Sequence, residues 1–252
     1  MNGMDYHHDL RMKCWPPKKV RSVLKHLENV VELANNNQKV RLRSLASLLG
    51  KIESATQGLF GVHLFTDGTR AVVKNALADV KGAASKKDFL RLVPLTKRAT
   101  HQLNYLLTDT FKSFNGRMMI HGSAIKYHMQ TDWSSWGWGC WAKQPSGVTH
   151  TISVPLGPEW RQVWSGAGET WTAAQAIQAL AEEHNWCDGL ISLRMDNVAA
   201  VLYVNRMVAR SPEINAVLME LVQFLRSRKL MVIASWMPGA EIMADSYSRP
   251  EA

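Results

Sequence analysis

The sequence predicts an α/β layered domain, a mixed five-stranded sheet flanked by helices, preceded by an α-helical N-terminal region. Three observations carry that prediction. Apolar spacing changes from three-and-four to short alternating runs near residue 122. Three closely spaced strand patterns follow the change, and only then do strands alternate with helices, which implies a sheet with both antiparallel and parallel pairs. Charge changes at the same place. Residues 1–125 hold 20 Lys+Arg against 9 Asp+Glu, a net +11, whereas residues 126–252 hold 10 against 12, a net −2. The expected division is therefore a basic helical region over 1–122 and an α/β domain over 123–252.

In the first region, Pro16 and Pro17 open a stripe of Val20, Val23, Leu24, Leu27, Val30 and Val31, closed by Asn35 to Asn37. A second helix carries Leu42, Leu45, Leu48, Leu49 and Ile52, with Lys39, Arg41, Arg43 and Lys51 beside the stripe to give a basic face. A third is expected over 68–81. A fourth runs from Thr96 to Phe114, with Leu103, Leu106, Leu107, Phe111 and Phe114 as its stripe and Gly116 as its stop.

The second region reads as strands at 124–130 and 137–143 joined by a turn at Ser134 and Ser135, then a strand at 148–154. A helix at 169–184, a strand at 189–195, helices at 197–208 and 212–227, a strand at 230–236 and a short helix at 242–248 complete it. No repeat interrupts this order.

The chain of 252 residues, 46% hydrophobic and 20% charged, is long enough to bury a core and too apolar for a disordered segment. Cys14, Cys140 and Cys187 are odd in number and form no CxxC pair, which excludes a disulfide framework and suits a reducing, intracellular compartment, cytoplasmic or nuclear. No apolar run reaches the roughly 18 residues of a membrane helix, so no membrane partner is expected. The net charge of +9 points to a polyanion such as nucleic acid. Nine histidines include no HxxxH or HExxH spacing, which removes the zinc hydrolases.

Four acids occupy informative places: Asp132 at the end of the first strand, Glu169 at the opening of the following helix, Asp196 at the end of the fourth strand and Asp245 in the last helix. Functional crevices of open α/β sheets lie beyond strand ends, so the four can converge. Carboxylates gathered in one cleft repel unless cations neutralise them, and an all-oxygen set suits Mg²⁺ or Mn²⁺. Two such ions about 3.5 to 4 Å apart are a known device for phosphodiester hydrolysis. Each acid also has a plainer use. Glu169 can complement a helix dipole, Asp196 can cap the next helix, Asp245 can pair with Arg249, and Asp132 can be a turn residue. Spacing alone leaves both uses open. Trp136, Trp138 and Trp141 are expected to pack in the core rather than to stack on nucleic acid, and Cys140 and Cys187 to lie in apolar surroundings.

The strings themselves decide further. Thr131 to Gly139 (TDWSSWGWG), Glu169 before an Ala-rich helix, Asp196 to Arg206 (DNVAAVLYVNR) and Met237 to Arg249 (MPGAEIMADSYSR) resemble, in order and spacing, a retroelement ribonuclease H domain. The likeness is nearest to the reverse transcriptases of DIRS-type, tyrosine-recombinase retrotransposons. Upstream, Trp15-Pro-Pro-Lys-Lys19 and Leu45 to Lys51 resemble the thumb and connection region of those enzymes. The resemblance implies an RNase H-like sheet and two-metal hydrolysis of the RNA strand of an RNA·DNA hybrid, with Asp132, Glu169, Asp196 and Asp245 holding two Mg²⁺ or Mn²⁺ ions. It further implies a minor-groove contact for Asn197, and a backbone grip for Lys39, Arg41, Arg43 and Lys51. No paired-aspartate polymerase motif is present, so a palm and fingers region would have to come from another chain or a missing segment.

Three positions depart from the pattern of those relatives. Trp133 replaces a small residue after the first aspartate, Trp236 stands where a histidine precedes the Pro-Gly, and Ile242 replaces an asparagine. These changes crowd or strip the surroundings of the acids, and the absent histidine implies slow turnover rather than none. They also keep two rivals alive, a non-catalytic nucleic-acid-binding module and a nuclease of related fold acting on DNA.

Overall fold

The computed structural model describes residues 5–7, 12–54, 62–108, 117–118, 124–209 and 211–249. The chain forms two compact units, Met1–Ile120 and His121–Ala252.

The first unit holds strands β1 (Asp5–His7) and β2 (Met12–Cys14), helix α1 (Pro17–Asn35), strand β3 (Val40–Arg41), helices α2 (Leu42–Glu53) and α3 (Asp67–Ala76), strand β4 (Leu92–Val93), helix α4 (Lys97–Leu107) and strand β5 (Arg117–Met118). The four helices were predicted; the strands were not. Strands β1, β2 and β5 form one small antiparallel sheet and β3 with β4 another. Runs of two or three residues are too short to show an alternation. The leucine stripes are core: Leu27, Leu42, Leu45, Leu48, Ile52 and Leu103 are fully buried. Helix α3 stops at Ala76, earlier than predicted, and α4 closes at Leu107; Phe111, Phe114 and Gly116 lie outside the described residues. Buried Gln102 ties α3 to α4, accepting from the Gly68 N–H at 2.9 Å and donating to the Leu64 carbonyl at 3.2 Å. A Cβ at Gly68 would lie 2.8 Å from that Gln102 oxygen and 3.0 Å from the Ala99 nitrogen, so glycine lets α3 and α4 approach closely.

The second unit begins with antiparallel strands β6 (Ile125–Trp133), β7 (Gly137–Lys143) and β8 (Thr149–Pro155). Helix α5 (Ser165–Glu183), strand β9 (Gly189–Met195), helices α6 (Val198–Arg206) and α7 (Pro212–Ser227), strand β10 (Leu230–Trp236) and the one-turn helix α8 (Asp245–Ser248) follow. The sheet order is β10-β9-β6-β7-β8, and the β10–β9 and β9–β6 pairs are parallel. This is the five-stranded mixed sheet that the sequence predicts, and its first strand sits in the centre.

Strand alternation assigns the faces. Met129, Thr131, Cys140 and Ala142 are buried on the face that α5 covers. Buried Ala173, Ala174, Ala176 and Ala181 give α5 a thin side that lies close to the sheet. His150 of β8 stacks on His184 at the end of α5, with centroids 3.7 Å apart. Helix α6 is capped by Asn197, whose Oδ1 accepts from the Ala200 N–H at 3.1 Å, and α7 by Ser211 ahead of Pro212. No helix among the described residues is long and apolar enough to cross a membrane.

Candidate metal centre

Asp132 is the penultimate residue of the central strand and faces Gly139 across the hairpin. An ideal Cβ on Gly139 would meet the Ala244 carbonyl oxygen at 2.5 Å and the Ser248 nitrogen at 2.6 Å, so glycine there lets α8 lie flat on the sheet. That approach delivers the Ser248 hydroxyl, which donates to Asp132 Oδ2. Gly139→Ala is accordingly expected to cost about 2 kcal/mol through overpacking against backbone that has no other place to go. Thermal unfolding followed by circular dichroism should show a midpoint several degrees lower, and an unchanged midpoint would mean that α8 does not hold this position.

Glu169 sits in the second turn of α5, buried at 3% exposure. Its Oε1 accepts from the Trp133 backbone N–H at 3.1 Å, while Oε2 is buried with no partner. The helix starts four residues before the predicted 169, at Ser165. Gly168 explains the close fit, because a Cβ there would lie 2.4 Å from the Trp133 ring. Trp133 thus tucks its indole against α5, where the missing side chain makes room for it. A glutamate buried this far inside the helix is not an exposed partner for the helix dipole.

Asp196 follows the last residue of β9 and is half-buried. It does not cap α6, since Asn197 does. Its carbonyl oxygen accepts from Trp236 Nε1 at 2.8 Å, and Gly239 passes so close that a Cβ would lie 3.0 Å from Asp196 Oδ2. One carboxylate oxygen from each of Asp132, Glu169 and Asp196 lies within 4.8 Å of the other two.

Asp245 stands outside that group of three. It opens α8, half-buried, and its Oδ1 is 2.8 Å from Arg249 Nη2, the pairing the sequence also allowed. It remains near enough that its charge acts on Asp132. Asn197 has both ends of its amide engaged, with Nδ2 donating to Ser165 Oγ at 3.2 Å, which leaves one amide hydrogen for another acceptor. Lys39, Arg41, Arg43 and Lys51 belong to the other unit. Lys39, Arg41 and Arg43 are exposed, but helix α2 begins at Leu42, so Lys39 and Arg41 precede the basic face predicted for it. Lys51 is half-buried with Nζ 3.4 Å from His26 Nδ1; burial first and that ammonium second hold His26 below its usual range.

The shifts at Asp132 and Glu169 have the same leading cause, burial beside other carboxylates. Burial pushes the Asp132 carboxyl up to about 6, with Asp196 and Asp245 adding to the rise and Ser248 and Arg249 opposing it. Burial pushes Glu169 up to about 9, reinforced by Asp132 and Asp196 and opposed by the Trp133 N–H. Such a group at neutral pH holds a proton on Glu169 unless a cation takes its place. The orphaned Glu169 Oε2 and the all-oxygen donor set fit a hard divalent cation.

Ser248, Gly139, Gly168 and the Trp236 indole are contributors that sequence reasoning missed. Gly139 and Gly168 flank the acids in sequence or register, a signal available only once the hairpin pairing is known. Other expectations are corrected. Trp138 is buried, edge-on to Trp171 at 6.2 Å, but Trp136 precedes the strand and is exposed beneath the Arg161 guanidinium, and Trp141 points to the opposite face from Trp138. Cys140 is buried, and burial pushes its thiol well up; Cys187 is exposed rather than apolar in setting.

No protein-family profile matches the chain, and no curated protein does. Among solved structures, LC11-RNase H1 bound to an RNA/DNA hybrid is similar at 17% identity, over 48% of this chain and 93% of that one, with a TM-score of 0.41. RNase H1 of the halophilic archaeon Halobacterium salinarum is similar at 16% identity over 48% and 93%, TM-score 0.38. The foamy viral protease-reverse transcriptase in complex with RNA/DNA hybrid is similar over 99% of this chain and 31% of its own, at 9% identity and a TM-score of 0.32. In the five-stranded sheet, strand order places the first strand beside the fourth, and Asp132 and Asp196 leave those two neighbours at the same end.

Proposed function

We propose that the chain is a ribonuclease H that cuts the RNA strand of RNA·DNA hybrids by hydrolysis assisted by two divalent cations. The observation that carries the reading is the convergence of Asp132, Glu169 and Asp196 on one point, with a buried, unpartnered oxygen on Glu169. A cation at that point would compensate the oxygen, whose burial without a partner costs about 1–3 kcal/mol. Mg²⁺ or Mn²⁺ held there would lower the pKa of a bound water and stabilise the leaving oxygen. The protein's own part is orientation. Ser248 fixes Asp132, the Trp133 N–H fixes Glu169, and Trp236 with the turn at Gly239 fixes Asp196. Asp245, now paired with Arg249, would be a fourth carboxylate available to such a cation. The remaining amide hydrogen of Asn197 is suited to a ribose 2′-hydroxyl in the hybrid's minor groove, and Lys39, Arg41, Arg43 and Lys51 to phosphates. On this reading the chain derives from a DIRS-type retroelement reverse transcriptase, acts inside the cell, and works with a palm and fingers region carried elsewhere.

The Asp245–Arg249 ion pair, with the departures at Trp133, Trp236 and Ile242, favours a non-catalytic binding module. A single comparison separates the readings: end-labelled RNA·DNA hybrid, duplex DNA and duplex RNA, each incubated with Mg²⁺ and with Mn²⁺. Cuts confined to the RNA strand of the hybrid support the proposal. Binding of hybrid without cuts in either metal would leave the binding module, and cuts in duplex DNA a nuclease of different substrate.

A further inference from the structure

We propose that Ser44 and Lys51 form a two-donor clamp for the backbone phosphates of a nucleic-acid duplex, with His26 as the positioning residue that holds both; this rests on the nucleic-acid reading above. Ser44 and Lys51 lie seven residues apart on α2, just under two turns, and so share a face of that helix. His26 reaches across from α1 and sits between them. Its Nε2 is 2.8 Å from Ser44 Oγ, and its Nδ1 is 3.4 Å from Lys51 Nζ.

The lysine sets the polarity of this chain of bonds. An ammonium carries donors and no acceptor, so Nδ1 must accept and the ring proton resides on Nε2. Nε2–H therefore donates to Ser44 Oγ, and the serine proton is left for another acceptor. Burial and the Lys51 ammonium hold His26 below its ordinary range, which keeps Nδ1 neutral and accepting. A Ser–His pair at this distance otherwise resembles a nucleophile with its base. Here the nitrogen facing the hydroxyl already holds a proton, so it cannot take one from Ser44, and the pair is suited to binding rather than to hydrolysis.

Among the described residues nothing accepts the Ser44 proton, and no carboxylate pairs with Lys51. Three arginines of the same unit differ. Arg70 is paired with Glu53, Arg91 with Asp79 and Asp88, and Arg98 with Asp67. Ser44 and Lys51 are both half-buried, so neither is sealed from solvent. A partner that accepts from a hydroxyl and from an ammonium on either side of an imidazole must offer several anionic oxygens. A phosphodiester backbone offers them at every residue, and hydroxyls and lysines are common donors to it. Exposed Arg41 and Arg43 extend the positive charge at the Ser44 end.

The test measures binding by the full chain rather than turnover. Wild type, Ser44→Ala, Lys51→Gln, His26→Gln and His26→Leu are titrated against fluorescein-labelled RNA·DNA hybrid and duplex DNA, with Ca²⁺ in place of Mg²⁺, across about 50 to 200 mM KCl. Equal melting temperatures confirm that each variant is folded. Lys51→Gln is expected to make the slope of log affinity against log salt shallower by about one phosphate contact. Ser44→Ala should weaken binding about fivefold with the slope unchanged, because it removes a neutral donor. The histidine variants read the wiring. Glutamine can accept from Lys51 through its oxygen and donate to Ser44 through its nitrogen, so His26→Gln should stay within about twofold of wild type. His26→Leu keeps the bulk and loses both bonds, and should weaken binding at least as much as Ser44→Ala. Each change should be the same on hybrid and on duplex DNA, since phosphates are common to both. Wild-type affinity and slope in Ser44→Ala or Lys51→Gln, equal losses in the two histidine variants, or losses confined to the hybrid would overturn the clamp and leave the nuclease reading standing. Failure of wild type to bind either duplex would overturn both.

Discussion

Asp132→Asn is expected to lower cleavage of an RNA·DNA hybrid on the order of 10³-fold while leaving hybrid affinity within about threefold. The substitution keeps size and shape. The Ser248 hydroxyl still finds an acceptor in the amide oxygen, so α8 keeps its seat against Gly139. What disappears is one negative charge from a group whose three carboxylate oxygens lie within 4.8 Å. Cation affinity falls with it, and orientation of the attacking water falls further. Phosphate binding does not depend on that charge and gains slightly from losing a repulsive one. Initial rates at saturating hybrid, with affinity measured in parallel, give both quantities. If variant and wild type cut at the same rate, Asp132 is not part of the reacting centre and the proposed chemistry fails with it.

The parts of this centre were unequally legible in the sequence. Strands β7, β9 and β10 and helix α7 lie where alternation and Gly or Pro punctuation place them. Helix α5 begins earlier than expected because Ser165-Gly-Ala-Gly168 reads as a loop. In the folded chain Gly166 and Gly168 are helical, and each makes room for an indole, Trp164 and Trp133 respectively. Helix propensity is a local quantity, whereas Gly168 answers to a ring delivered from another element. The acids were legible as residue types at strand and helix ends. Their division into a group of three and an outlying Asp245 was not, because Arg249 sits four residues on in either case. The Ser248–Asp132 bond was invisible for the same reason as the Gly139 contact: both need two segments more than a hundred residues apart to touch. Trp236 shows the converse. It reads as the loss of a histidine, yet the fold uses it to hold the Asp196 backbone.

Without divalent cation, the protein is expected to lose thermal stability as pH rises from 5 to 9, by on the order of 10 °C in the unfolding midpoint of the second unit. Glu169 sets the direction. Its folded value of about 9 lies above the ordinary 4.5, so the folded state holds a proton that the unfolded chain gives up. Below 4.5 both states are protonated and nothing is lost. Between 4.5 and 9 the unfolded state is favoured progressively, and above 9 the whole penalty of a buried carboxylate is present. Asp132, raised from 3.8 to about 6, adds a smaller decline confined to that lower window. Glu169→Gln replaces the carboxyl with a neutral isostere. Its midpoint should be higher than wild type at pH 8 and nearly level above pH 6, with only the Asp132 slope remaining. Mg²⁺ or Mn²⁺ should act on wild type in the opposite sense to pH, displacing the Glu169 proton and raising the midpoint most at pH 8. In the glutamine variant the same addition should raise it much less. Calorimetric scans at pH 5, 7 and 8.5, with and without cation, resolve all of these. A wild-type midpoint that rises with pH, or a glutamine variant with the wild-type slope, would place the titrating group elsewhere and remove Glu169 from the centre.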